Sequence, residues 1–146
     1  MITKIKTFDT LSITELYAIL QLRSEVFVVE QDCVYQDIDG KDQKALHILG
    51  IHNSRIVAYT RIFNSGDYFD TPSIGRVVVA KEMRKHGFGK DIMNASIHAI
   101  SSHYNTTRIT LSAQTYLNKF YKDLGFNPVG HEYLEDNIPH IKMVKF

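Results

Sequence analysis

The sequence predicts an α/β fold built on a mixed, mostly antiparallel β-sheet with helices on both faces. Short β-branched runs recur along the chain, which is typical of strands. Two amphipathic patterns, at 12–27 and 88–104, are typical of helices that pack one face against a sheet. A strand, a helix and a strand follow one another over 77–113, which favours one parallel pair within a sheet otherwise connected by hairpins.

Length and composition indicate a single soluble domain over 1–146. The chain is 44% hydrophobic and 23% charged, with a formal net charge of +1. This balance argues against nucleic acid as a partner, because neutralising many phosphates requires a large basic surface. The chain has one cysteine, Cys33, no apolar run near the roughly 20 residues of a membrane span, and no visible signal peptide. We therefore expect a cytoplasmic protein that does not enter a membrane.

The first elements are a strand over 3–8 and a helix that begins at a capping box. Ser12 is placed to cap the helix and Glu15 to reach back to it. Arg23 lies on the apolar face of this helix, which is unusual. It is either a structural arginine, paired or with its charged end in water, or it holds the acidic segment that follows.

That acidic segment, 30–42, is a long connection between the first helix and the next strand. Its carboxylates either face water or serve a function, since long ordered connections in compact domains are often functional. The spacing of Asp37, Asp39 and Asp42 suggests a calcium loop, but the bidentate glutamate of an EF-hand is missing. We expect no metal here.

A hairpin follows, with strands at 46–51 and 55–63 and the turn His52-Asn53-Ser54. After a polar loop at 65–73, the apolar run Val77–Ala80 predicts a buried strand. The next helix carries its apolar positions on one face: Phe88, Ile92, Met93, Ser96, Ile97, Ile100 and Tyr104. A strand at 108–113 should pair in parallel with 77–80, because a helix separates the two.

The turn between strand and helix, Arg84-Lys85-His86-Gly87-Phe88-Gly89, predicts an anion site. Glycines allow a ligand to approach backbone N–H groups, and the helix directs its positive dipole end into the same turn. Lys81 and Lys90 add positive charge nearby. Phosphate or pyrophosphate is the natural ligand. The alternative is an ordinary turn with lysines that only aid solubility.

Two familiar phosphate loops do not fit this turn. A P-loop requires a different glycine spacing and Ser or Thr where Asp91 stands, and a dinucleotide fingerprint requires glycine where Ile92 stands. The pattern that fits is R-x-x-G-x-G between a strand and a helix. It resembles the coenzyme A pyrophosphate loop of the GNAT acetyltransferase superfamily.

A second motif lies in the C-terminal part of the chain. A helix over 116–124 stops at Gly125, and strands follow at 127–134 and 141–146. Tyr121 and Phe126 form the pattern Y-x-x-x-G-F, which in GNAT enzymes follows the R-x-x-G-x-G unit and places the tyrosine beside the coenzyme A sulfur. A simple core role for Tyr121 is the alternative.

The resemblance extends over nearly the whole chain and is strongest to the small ElaA-like group of GNAT proteins. The residues that carry it are 22–31, Cys33, Tyr35, Gln36, Asp39, Ala113, Gln114, Phe120, Tyr121 and 134–141. It implies a GNAT-like sheet that splits between two central parallel strands. It also implies transfer of an acetyl group from acetyl-coenzyme A to a primary amine of a small molecule or peptide, by direct attack.

The same resemblance implies roles for individual residues. The cofactor would be bound by Val77, Val78, Val79, Arg84, Lys85, His86, Gly87, Phe88, Gly89, Lys90 and Gln114. Tyr121 would be the general acid, and Glu30, His47 and His140 are candidates for the base. On the acceptor side we expect Arg23, Gln31, Tyr35, Asp37, Asp39 and His47, with the acidic segment attracting a cationic amine.

Two departures from the family leave questions open. Gln114 stands where many GNAT enzymes have asparagine, and 74–80 contains no carboxylate, although several relatives have a glutamate base on this strand. An acyl-homoserine-lactone synthase and a non-catalytic coenzyme A-binding module remain alternatives. The lactone synthases carry a tryptophan soon after the first helix, and this chain has none. Both a monomer and a homodimer fit the sequence.

Overall fold

The structure is a computed structural model that describes residues 1–146. Seven strands form one sheet in the order β1-β2-β3-β4-β5-β7-β6. They are β1 (Ile2–Thr7), β2 (Leu46–His52), β3 (Arg55–Phe63), β4 (Ser73–Val79), β5 (Ile109–Gln114), β6 (Asn127–Glu135) and β7 (Ile138–Lys145). The helices are α1 (Ile13–Arg23), α2 (Phe88–Tyr104) and α3 (Asn118–Asp123). None of the helices has the length and apolar content that crossing a bilayer requires.

Every strand pair is antiparallel except β4 and β5, which confirms the predicted mixed sheet. The parallel pair is joined at one register position, Ser73 opposite Thr110. Beyond that contact the strands diverge, so the backbone of Val77–Val79 has no strand partner on the β5 side. The sheet is therefore split at its centre, as the resemblance implies.

Two hydrophobic cores lie on opposite faces of the sheet, which confirms helices on both sides. On one face α2 contributes Ile92, Met93 and Ile100, all fully buried, to the larger core. On the other face Ile19 and Leu22 of α1 pack against residues of β2, β3 and β4. The predicted capping box at Ser12 and Glu15 starts α1, with reciprocal hydrogen bonds of 3.0 and 2.8 Å.

The chain beyond α1 differs from the predicted helical periodicity. The backbone widens into a π-helical segment over Ser24–Glu30. The wider turns bury Val26 in the core and leave Phe27 only half-buried, although the α-helical spacing placed Phe27 on the inner face.

Tertiary pairing also moves several strand ends. The β2–β3 turn has two residues, Asn53 and Ser54, both with positive φ as in a type I′ turn. Asp136 and Asn137 make a similar tight turn between β6 and β7, so β7 begins at Ile138 and not at 141. His140 consequently lies within a strand.

Candidate active site

A cavity of about 570 Å³ lies where β4 and β5 separate. Its lining includes Val77–Val79 from β4, Ser112 and Gln114 from β5, the start of α2, and the β6–β7 hairpin. The volume is in the usual range for small-molecule sites. The divergence of the two strands thus creates the space in which a ligand can bind.

The predicted anion site forms one end of this cavity. Gly87 precedes α2 in a left-handed conformation, φ 77°, which an L side chain adopts only with strain. The first α-helical hydrogen bond runs from the Asp91 amide to the Gly87 carbonyl, 3.0 Å. The amides of Phe88, Gly89 and Lys90 precede it and have no partner within the helix. No side chain caps this helix end.

The loop's charge and space fit a pyrophosphate. Arg84, Lys85 and Lys90 line the cavity beside the helix start. A Cβ placed on Gly87 would have no heavy atom within 4 Å, so the space above it is open to a ligand. The His86 side chain is not part of the cavity wall, and its ring lies 5.6 Å from that of Phe88. The residues present therefore suit the pyrophosphate of coenzyme A.

Arg84 is held by a carboxylate on the opposite wall. It makes two hydrogen bonds to Glu30, of 2.5 and 2.9 Å, and a third to the Val79 carbonyl, 3.2 Å. The hydrogen bonds from Arg84 hold the pKa of Glu30 below its ordinary value. A carboxylate with a lowered pKa is a weak proton acceptor, so this contact disfavours Glu30 as the base.

Tyr121 lines the same cavity from α3. Its side chain is 5% exposed and packs edge-on against Phe120 and Phe126, with ring centroids 5.1 and 6.2 Å away. Burial raises the pKa of its hydroxyl above that of a free tyrosine. The phenol is therefore protonated at neutral pH and can donate a proton.

A bulge in β4 bends the strand beside the cavity. Gly75 pairs with Arg61 and Val78 with Tyr59, so Arg76 and Val77 both lie opposite Thr60. Arg76 has a φ of 51°, a conformation that is uncommon outside glycine. A bulge interrupts the regular hydrogen-bonding pattern and frees backbone groups near a site.

His140 lies at the other end of the cavity and is 7% exposed. Its Nδ1 is 2.7 Å from the Ile138 carbonyl, which can only accept, so Nδ1 carries the hydrogen. Its Nε2 is 3.3 Å from Glu135 Oε2. In the neutral ring Nε2 is consequently unprotonated, so its lone pair is available to accept a proton beside the Glu135 carboxylate.

Comparisons with known proteins agree with this geometry. A family model described as an acetyltransferase (GNAT) domain matches residues 12–146. The chain belongs to the GNAT acetyltransferase family. The protein ElaA of Escherichia coli is 45% identical over 137 residues, which cover 92% of this chain and 90% of ElaA.

Solved structures place the chain in the same part of the GNAT family. The crystal structure of E. coli ElaA superposes with a TM-score of 0.93 at 41% identity, and an acyl-CoA N-acyltransferase from Pseudomonas aeruginosa with 0.93 at 38%. Both alignments cover 100% of each chain. The acyl-homoserine lactone synthase BjaI shares only the fold, with a TM-score of 0.76 at 15% identity over 96% of this chain and 80% of that one.

The acidic segment of this GNAT domain is built differently from the expectation. Three arginines and three aspartates form a cluster of ion pairs: Arg23, Arg61, Arg76, Asp37, Asp39 and Asp42. Arg23 is 0% exposed and reaches Asp37 at 2.9 Å and Asp42 at 2.8 Å. It therefore holds the acidic segment against the domain and does not line the cavity.

This ion-pair cluster removes most of the expected charge asymmetry. Asp37 is 7% exposed, and Asp39 lies 2.6 Å from Arg61. Each aspartate is matched by an arginine, so these carboxylates are not free to attract a cationic acceptor. Neither Asp37 nor Asp39 lines the cavity.

His47 is also placed away from the cavity, next to the ion-pair cluster. Its Nδ1 lies 2.6 Å from the Tyr59 hydroxyl and its Nε2 lies 2.9 Å from the Asp42 carbonyl. This arrangement assigns the hydrogen to Nε2, with Tyr59 donating to Nδ1. Burial lowers the pKa of His47, which keeps the ring neutral. As a structural residue it cannot reach a substrate in the cavity.

The remaining acceptor-side residues do line the cavity. Gln31 and Gln114 face each other with two contacts of 3.4 Å, and the Tyr35 hydroxyl donates to Asp37 at 3.0 Å. Cys33 Sγ lies 3.3 Å from the Asp136 carbonyl. The Gln31–Gln114 and Cys33–Asp136 contacts join the acidic segment to the C-terminal half of the sheet, so the segment forms one wall of the cavity.

Sequence reasoning missed roles for two groups of lining residues. Glu135 lies in the range 134–141 that resembles the ElaA-like group, but the sequence assigned it no role in the site. Its proximity to His140 follows from a hairpin turn that is shorter than predicted. The other group is aromatic and comprises Phe63, Tyr68 and Phe69, at the end of β3 and in the loop after it. The adjacent aromatic residues Tyr68 and Phe69 in an otherwise polar loop were the sequence feature that could have indicated this role.

Proposed function

We propose that this protein transfers an acetyl group from acetyl-coenzyme A to a primary amine by direct attack. The observation that carries the proposal is the shared cavity: the pyrophosphate-type loop, Tyr121 and His140 all line it. Membership of the GNAT family makes acyl transfer from coenzyme A the expected chemistry. The P. aeruginosa relative is itself described as an acyl-CoA N-acyltransferase.

Each part of the cavity has a role in this reaction. Arg84 and the free amides at the start of α2 bind the pyrophosphate, and the open edge of Val77–Val79 binds the pantetheine arm. Backbone N–H groups near the β4 bulge stabilise the negative oxygen that develops on the thioester carbonyl. Gln114 borders the reacting centre.

Two residues transfer protons in this reaction, His140 at the attacking amine and Tyr121 at the leaving thiolate. Only the neutral amine attacks, so His140 Nε2 accepts a proton from the ammonium, with Glu135 as its partner. The amine nitrogen then bonds to the thioester carbon, the C–S bond breaks, and the nitrogen releases its second proton to the solvent. Tyr121 donates its hydroxyl proton to the leaving thiolate and regains one from the solvent.

The test is an acceptor screen with two readouts. The protein is incubated with acetyl-coenzyme A and a panel of primary amines, free thiol is measured, and products are identified by mass spectrometry. We expect equal amounts of thiol and acetamide with at least one amine. Coenzyme A binding without acetamide formation across the panel would contradict the proposal and favour a binding module. A lactone product would favour the synthase alternative.

A further inference from the structure

The aromatic residues of the cavity suggest what kind of amine it accepts, an inference that rests on the proposed function. We define the acceptor chamber as the part of the cavity bounded by Phe63, Tyr68, Phe69, Ser112, Glu135 and His140. The Phe63 and Tyr68 rings are stacked, with centroids 5.3 Å apart and planes at 20°. The Tyr68 and Phe69 rings meet edge-on at 5.0 Å. The three rings form a continuous aromatic wall.

Strand register places this wall on the same sheet face as His140. Phe63 lies opposite Ser73, and Ser73 lies opposite Thr110. Side chains alternate along a strand, so Ser112 and Gln114 share the face of Thr110. Gln114 in turn lies opposite His140. The aromatic wall and the proton acceptor therefore face the same chamber.

The charges of the chamber are separated. Glu135 and Asp136 line the cavity near His140. At the aromatic end the Arg61 guanidinium lines the cavity and lies 5.1 Å from the Phe63 ring centroid. The Lys41 and Lys142 ammonium groups are outside the lining and lie over the Tyr68 and Phe69 rings at 4.8 and 5.4 Å. Neither lysine forms a salt bridge with a carboxylate of the protein. An acceptor ammonium is favoured at the acidic end, and a second ammonium at the aromatic wall would be repelled by two lysines.

We propose that the acceptor is a primary amine with a single positive charge and an aromatic ring on its carbon skeleton. Its ammonium lies beside the contacting His140 and Glu135 side chains, and its ring packs on the wall of Phe63, Tyr68 and Phe69. Contacts between aromatic rings add to the free energy gained from burial alone, so this wall discriminates in favour of aromatic over aliphatic amines. Diamines and polyamines are disfavoured by Lys41 and Lys142.

Binding and turnover are measured separately to test the inference. Calorimetry on the coenzyme A-loaded protein compares phenethylamine, n-hexylamine and putrescine, and the thiol assay gives kcat/KM for the same three. We expect phenethylamine to bind most tightly and putrescine most weakly. Equal affinity for the three amines, or a preference for putrescine, would overturn the inference.

Variants identify the residues responsible. Tyr68 is 41% exposed on a loop, so Tyr68→Ala should fold. We expect it to weaken phenethylamine binding by about threefold to tenfold, and Tyr68→Phe to retain the affinity. Tyr17, which is 73% exposed and outside the cavity, provides the control Tyr17→Ala. Unchanged phenethylamine binding in Tyr68→Ala would contradict the role of the wall.

The outcomes separate this inference from the proposed function. Selective binding of phenethylamine without any acetamide would support the aromatic chamber and contradict acetyl transfer. Faster acetylation of putrescine than of phenethylamine would support acetyl transfer and overturn the aromatic chamber.

Discussion

At the residue scale, removing the hydroxyl of Tyr121 tests whether this side chain acts as a general acid or only packs in the core. The ring is packed between Phe120 and Phe126, and its raised pKa keeps it protonated. Tyr121→Phe should preserve the packing and the affinity for acetyl-coenzyme A while lowering kcat by about 10²–10⁴-fold, the usual range for a general acid. Steady-state kinetics and calorimetry measure the two effects. A kcat equal to that of the wild-type protein would mean that Tyr121 has only a structural role.

Glu30 offers a second test at this scale, because its pairing with Arg84 predicts an effect opposite to that of a base. In the structure the guanidinium that should bind pyrophosphate is held by Glu30 and the Val79 carbonyl. Glu30→Gln removes the competing charge, so acetyl-coenzyme A should bind more tightly while kcat is retained. Calorimetry and kinetics distinguish the two roles. A large fall in kcat with unchanged affinity would identify Glu30 as the base.

The two residues proposed to transfer protons, Tyr121 and His140, differ in how well the sequence locates them. Tyr121 belongs to a motif with fixed local spacing, so its place on a helix before Gly125 follows from the sequence. His140 was one of three candidate bases. Only the pairing of β7 with β5 and β6 shows that it, and not His47, reaches the cavity.

At the scale of single elements, the turn before α2 is expected to govern cofactor affinity. A valine at Gly87 would be strained at φ 77° and would fill the space above the free amides. We expect Gly87→Val to raise the dissociation constant of acetyl-coenzyme A by at least about tenfold, or about 1.4 kcal/mol. Calorimetry measures the change.

Gly130 provides a matched control for that substitution. It has a φ of 76° and equally open space, but lies in β6 outside the cavity. Gly130→Val should carry a similar backbone strain and leave cofactor affinity unchanged. If the Gly87→Val and wild-type proteins bound acetyl-coenzyme A equally well, the turn would not be part of the cofactor site.

The acidic segment is expected to contribute to stability through the ion-pair cluster. Asp42 is 5% exposed and accepts hydrogen bonds from Arg23 at 2.8 Å and Arg61 at 3.0 Å. Asp42→Asn would leave two buried guanidinium groups poorly matched, and breaking a buried pair typically costs about 3–5 kcal/mol. Denaturant unfolding measures the loss. Asp32→Asn, at an exposed position of the same segment, is the control and should cost little.

At the scale of the whole molecule, buried titratable groups predict how stability depends on pH. Burial lowers the pKa of His47. For Asp42, burial alone would raise the pKa, but hydrogen bonds and charge from Arg23 and Arg61 outweigh it and lower the pKa. In both cases the unfolded chain binds protons that the folded protein does not, so stability falls as the pH is lowered.

The two groups act in different pH windows. Stability should begin to fall below about pH 6.5 because of His47, and more steeply below about pH 4 because of the carboxylates. Thermal unfolding from pH 8 to pH 3 measures the profile. His47→Gln should reduce the loss of stability between pH 7 and pH 5 and leave the loss below pH 4 unchanged. His98→Gln, at an exposed position, should leave the whole pH dependence of stability unchanged. An unchanged slope between pH 7 and pH 5 in His47→Gln would contradict this role.

The sequence by itself determined the features that depend on neighbouring residues. These are the capping box at Ser12, the phosphate-type turn before α2, the helix that ends at Gly125, and the single parallel pair implied by a helix between two strands. The first three depend on hydrogen bonds or backbone angles within a few residues, so local spacing was enough to find them. The parallel pair follows from the helix in the connection, because parallel strands require a long crossover. The likeness of two such motifs, in order, to one family also led to the correct fold.

Only the tertiary structure decided which side chains share a cavity and which neutralise one another. The aspartates of the acidic segment looked free to attract a substrate, because their partners Arg23, Arg61 and Arg76 come from α1, β3 and β4. Likewise Glu135 reaches His140 only through strand pairing, and Phe63 joins Tyr68 only where the loop folds back on the sheet. Burial and charge pairing depend on contacts between residues distant in sequence, which local spacing does not encode.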